Sequence, residues 1–185
     1  MLKNRLIRLV VIATVLGLLV TGAASAAPSG SSIPQGIWYG KNSQGLKFTF
    51  DVLQSNHGLI VQPTELDLNL VCSGTGTEFE AGFGFIGFGK KINSEGTFRF
   101  HLYDELFGTI DFRGTLGETS GSGTELAAIP GLTRDLGAEI CSSGQMSWHA
   151  HPPGGAPSQG DSNLQYRIVF TKDAHGKVTE SISKG

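Results

Sequence analysis

Apolar and polar residues alternate with a period of two in six separate stretches of this 185-residue chain, and that period commits the stretches to β-strand. Leu46, Phe48, Phe50 and Val52 share one face of the first, with Lys47, Thr49 and Asp51 opposite. Leu66, Leu68, Leu70 and Cys72 repeat the pattern, as do Phe98, Phe100 and Leu102, then Ile110 and Phe112. Met146 with Trp148, and Leu164 through Phe170, complete the set. Each run has one apolar and one mostly polar face, the pattern of antiparallel sheet with one side in water. Polar turns ending in Gly58, Gly96 and Gly176 adjoin these runs, and glycine supplies the positive φ that a hairpin needs. The expected fold is all-β: an antiparallel β-sandwich or a small closed β-barrel of about eight to ten strands. The segment Leu126–Ile140 is interrupted by Pro130-Gly131 and reads as a helical or irregular connector.

Lys3, Arg5 and Arg8 precede a 14-residue apolar run, Leu9 to Gly22, and Ala24-Ser25-Ala26 offers the small residues of a cleavage site. Residues 1–26 therefore read as an export signal, the apolar run being shorter than the ~20 residues that cross a bilayer as a helix. Residues 27–32 read as a flexible linker and 33–185 as one β domain, with a Pro/Gly-rich loop at 151–162. A secreted or periplasmic protein, without a membrane span after cleavage, follows from this reading. Three of the 14 basic residues leave with the signal, so 11 remain against 16 acidic ones. No basic stripe of the kind that phosphate backbones need is visible, and nucleic acid is not an expected partner.

Outside the cytoplasm two lone cysteines most often pair, so Cys72 and Cys141 are expected to form one disulfide. Cys72 shares the inward face of Leu68 and Leu70, which predicts a buried bridge tying non-adjacent strands, with Trp148 in the core beside it. Gly36-Ile37-Trp38-Tyr39-Gly40, then Leu46 to Val52, then Cys72, and finally Cys141-Ser142-Ser143-Gly144-Gln145-Met146-Ser147-Trp148 form a recognisable series. It is similar to exported bacterial β-domain proteins of uncharacterised activity. The resemblance implies a disulfide-tied, all-β extracytoplasmic domain and brings no substrate or site residues with it.

Gly82-Phe83-Gly84-Phe85-Ile86-Gly87 matches the letters of the dinucleotide fingerprint, but no helix-forming run follows to meet a pyrophosphate. No cofactor is expected. The same stretch, Phe79 to Gly89, can instead present Phe83, Phe85 and Phe88 as an apolar ligand-binding strip, or bury them as core. His149 and His151 fall on one strand face at a spacing found in zinc and copper sites, with His101, His57 or Asp104 as a third ligand. For hydrolysis the chain offers Asp104-Glu105, Glu118 and Glu125, with Ser120 and Ser122 lacking the nucleophile-elbow spacing. The leading expectation is a binding or interaction module for a protein, an envelope glycan or an apolar ligand. A metal-dependent or hydrolytic enzyme using His149 and His151, and a structural envelope protein, are the alternatives.

Overall fold

The structure, a computed structural model, describes residues 32–104, 108–130, 139–154 and 164–184, all within one compact unit, Ser31–Gly185. The segment expected to be an export signal, 1–26, nearly all of the expected 27–32 linker and most of the 151–162 loop lie outside the described residues. Among the described residues twelve strands follow one another: β1 (Gly36–Asn42), β2 (Lys47–Ser55), β3 (Gly58–Cys72), β4 (Glu78–Ile86), β5 (Lys90–Lys91), β6 (Thr97–Asp104), β7 (Gly108–Leu116), β8 (Gly121–Pro130), β9 (Ile140–Ser142), β10 (Met146–His151), β11 (Tyr166–Lys172) and β12 (Val178–Lys184). The described residues contain no helix, and hence none long and apolar enough to cross a membrane.

The strands pair in the order β12-β11-β4-β3-β2-β1-β10-β8-β7-β6, with β9 joining β3 to β8 and β5 lying along β3. Six strands thereby close on themselves as a barrel: β3, β2, β1, β10, β8 and β9. Of the two architectures compatible with the alternation, the barrel is the one formed. All pairings are antiparallel except β4 with β11, which run parallel because a long connection separates them in sequence. The expected connector, Leu126–Ile140, begins and ends in strand. Leu126 to Pro130 pairs with β7 and β9 as the end of β8, tertiary pairing overriding the local proline signal; residues 131–138 lie outside the described residues.

The core sits on the concave face, where Trp38, Phe48, Phe50, Phe112 and Trp148 are each 1% exposed or less. Phe112 stacks on Trp148 with ring centroids 5.0 Å apart, and Phe48 meets the same indole edge-on at 5.3 Å. The interior is therefore filled with aromatic rings. Three turns behave as their sequences predict. In two of them, Asn93 Oδ1 accepts from the Thr97 N–H, and Asp173 Oδ1 accepts from the Lys177 N–H, so that Gly96 and Gly176 take positive φ.

The Cys72–Cys141 bridge is present and both residues are buried. It does not span non-adjacent strands. Cys72 and Cys141 face each other directly across the β3–β9 ladder, Cα atoms 3.8 Å apart, at the narrow type of antiparallel pair. The disulfide is thus a clasp at the closing seam. Trp148 is not beside it either. Trp148 pairs with Gly123 and Cys141 with Ile129 on β8, six residues or about 20 Å along the strand.

The seam has one further device. On this edge of β3, β2 pairs up to Leu66 and β9 from Val71, leaving a short unpaired stretch. Side chains of the β1–β2 turn fill it. Asn42 donates to the Asp67 carbonyl at 3.0 Å, while Gln44 donates to the Asn69 carbonyl and accepts from its N–H. These amides stand in for a missing strand.

Candidate functional site

The aromatic-glycine strip is interior on both faces, which corrects the ligand-binding expectation for Phe83, Phe85 and Phe88. Their exposures are 0%, 3% and 7%. Phe83 stacks on Phe170 of β11, and Phe85 and Phe88 both meet Phe100 of β6 edge-on. On the other face Leu164 lies over Gly82 and Val169 over Gly84, so glycine is there to let β11 approach. The dinucleotide-like letters are a strand interior.

One carboxyl is also inside. Glu125 projects from β8 between Gly123 and Ala127 and is 2% exposed. Burial pushes its carboxyl up from 4.5 to about 7; the Asn42 carboxamide pulls it back only in part, and the charge of Asp67 raises it further. Between pH 4.5 and 7 the folded protein keeps a proton on Glu125 that the unfolded chain releases. This contribution to stability is complete below pH 4.5 and is lost as pH rises to about 7, on the order of 3 kcal/mol in all. Glu125→Gln, which carries no charge at any pH, is expected to flatten that fall. Urea unfolding of both proteins at pH 5 and pH 8 checks it; equal slopes with pH would refute the assignment.

The polar outer face of β6, β7, β8, β10, β1 and β2 carries two grooves. The first, about 270 Å³, is lined by Arg99, His101, Asp111, Arg113, Thr124 and Gln145 among others. Asp111 is oversubscribed: its Oδ2 accepts from Arg99 Nε at 3.0 Å and from Arg99 Nη2, and lies 3.1 Å from His101 Nδ1. Arg113 gets no share of it. Its Nε donates to the Thr124 hydroxyl at 3.0 Å, and among the described residues its remaining guanidinium donors have no partner. Arg99 and Arg113 stand directly opposite each other on β6 and β7. Like charges so placed repel, and the carboxylate beside them, Asp111, pairs with Arg99 and not with Arg113. The second groove, about 340 Å³, is lined by Tyr39, Lys41 and Asn42 of β1 with His149 and His151 of β10.

The structure brings His149 and His151 together on that groove and keeps His101 away. His149 pairs with Ser122, Ser122 with Thr115 and Thr115 with Thr97, four residues before His101 on β6. By sheet spacings that is roughly 20 Å from His149 to His101. His57 lies in the β2–β3 turn and Asp104 ends β6. Among the described residues no group of three or more His, Cys, Asp or Glu side chains is placed to hold a metal ion. Lys41 stands directly opposite His149, an ammonium where a metal dication would need a ligand. The hydrolytic candidates are scattered as well: Glu125 is sealed in the core, Glu118, Ser120 and Ser122 are exposed, and Glu105 lies outside the described residues.

Sequence reasoning missed the basic residues Lys41, Lys47, Arg99 and Arg113. Each occupies an outward position in an alternating strand, where a charge is unremarkable. Only strand register reveals that they stand opposite one another. Comparison with protein-family models, with curated proteins and with solved structures finds no match for this chain.

Proposed function

We propose that this protein is an exported, extracytoplasmic binding module that captures an anionic group, a carboxylate or phosphate of its ligand, in the groove over β6, β7 and β8. The observation that carries the reading is Arg113: a guanidinium fixed through Nε to Thr124, beside a second guanidinium, with its other donors turned to a groove. A planar guanidinium held in this way matches a carboxylate with two parallel hydrogen bonds. The filled barrel argues against an apolar ligand in the lumen. Export and the disulfide fit each other, since oxidising compartments are where such bridges persist.

The test is a titration of ¹⁵N-labelled protein with D-glucuronate, with D-glucose as the uncharged control, at low salt. Saturable amide shifts on β6, β7 and β8 are expected with glucuronate alone. Arg113→Ala, an exposed substitution, is expected to weaken binding about tenfold. Equal shifts with glucose, or none with either sugar, would overturn the reading.

A further inference from the structure

We infer that the ligand of this groove is a linear acidic glycan that lies across the strands and spans both grooves; the inference rests on the reading of the Arg113 groove as an anion site. Register defines the track. One row across the outer face runs Thr97, Thr115, Ser122, His149, Lys41 and Lys47, from β6 to β2. The neighbouring row runs Arg99, Arg113, Thr124 and Ser147, from β6 to β10. Neither row contains a carboxylate. Together they hold four permanent cations, one imidazole and five hydroxyls, in a chain whose acidic residues outnumber its basic ones.

Two of the cross-strand pairs in these rows, Arg99 with Arg113 and Lys41 with Lys47, set like charges face to face. Such pairs destabilise a sheet. Two of them on one face, at opposite ends of a hydroxyl-lined stretch, break a local rule twice, with Asp111 in the adjoining row offsetting Arg99 alone, and that is where function is expected. A partner carrying negative charge at both ends relieves both repulsions.

Spacing and side-chain type select the partner. Six strands give a track of about 24 Å, and the two basic pairs lie roughly 15 Å apart along it. Each strand of a nucleic-acid duplex places a phosphate every ~3.4 Å along the axis, far denser than these charges. A glycan in which acidic sugars alternate with neutral ones matches better, its hydroxyls meeting Thr115, Ser122 and Thr124. A tyrosine sits beside one basic pair and another lies further along the strand of the other: Tyr39 lines the second groove with Lys41, and Tyr103, 65% exposed, is four residues beyond Arg99 on the same face of β6. Each offers a flat apolar ring with a polar tip to a sugar face.

Hyaluronan oligosaccharides, which alternate uronate and neutral sugars, provide the probe. Affinity measured by calorimetry is expected to rise at least about tenfold from the disaccharide to the octasaccharide, then to level off. The Lys41→Ala/Lys47→Ala variant is expected to lose that gain while still binding glucuronate like the wild type. If glucuronate binds at the Arg113 groove but affinity does not grow with chain length, the track is wrong and the anion site stands. If glucuronate itself fails to bind, the anion site falls too. Tighter binding of single-stranded DNA than of the octasaccharide at equal salt would overturn the glycan assignment.

Discussion

Trp148→Ala is expected to lower the unfolding free energy by about 3–5 kcal/mol, the cost of deleting a large aromatic side chain from a packed core. The indole is 1% exposed and meets Phe48, Phe50, Phe98 and Phe112. Two glycines were left bare to seat it. A Cβ at Gly123 would lie 2.6 Å from Trp148 Cζ2, and one at Gly114 would meet Cζ2 and Cη2. Neither glycine has a side chain to move into the void. Trp148→Phe is expected to cost much less, because a ring remains and the indole N–H it removes has no hydrogen-bond partner among the described residues. Denaturant unfolding of the three proteins checks this. Equal midpoints for the wild type and Trp148→Ala would mean that the aromatic cluster does not hold the barrel.

The second large effect belongs to the seam. Cys72→Ser is expected to destabilise by about 4 kcal/mol, the chain-entropy value for closing a loop of this size. The bridge spans 69 positions in sequence. In a protein of this length that corresponds to a fall in Tm of roughly 10 °C. The loss has a predicted location. β9 is three residues long, and its ladder to β3 is only two pairs. Without the clasp, the amides of Ser73 and Ser143, which donate to Ile140 and Ala127 across the seam, are expected to exchange with solvent far faster than those of β2 or β7. An unchanged Tm, or exchange raised evenly through the barrel, would contradict a localised clasp.

Much of this barrel was legible as alternation. Phe48, Phe50 and Val52, and Leu66, Leu68 and Leu70, face inward as the period of two requires. What alternation does not encode is which strand lies beside which. The bridge between Cys72 and Cys141 follows from composition and compartment, whereas its place at a barrel seam depends on β9, too short to show a period. Gly121–Pro130 shows no strand period, and its part from Leu126 reads as connector, because its inward positions are Gly121, Gly123, Glu125, Ala127 and Ile129. That series is too small and too polar to read as a core face. The glycines are small because Trp148 covers Gly123 from the next strand and Trp38 approaches Gly121.

The candidate site was legible only in pieces. His149 and His151 stood out because imidazoles suggest ligands, and their shared groove was foreseeable from their spacing. Arg113 did not stand out, since an exposed arginine on a strand is ordinary until its neighbour across the ladder is another arginine. The phenylalanines of β4 misled for the converse reason. Alternation with glycine resembles an exposed strip, but the covering side chains, Leu164 and Val169, come from a segment about 80 residues later.

The central claim is that the outer basic face, and not the barrel interior, is the binding surface. The glucuronate titration followed amide by amide tests it most directly. Saturable shifts confined to the strands that carry Arg99, His101, Arg113 and Thr124, with an affinity about tenfold weaker in Arg113→Ala, are the predicted result. Shifts centred on the core around Phe83 and Phe170, or on the β4, β11 and β12 side of the sheet, would contradict it.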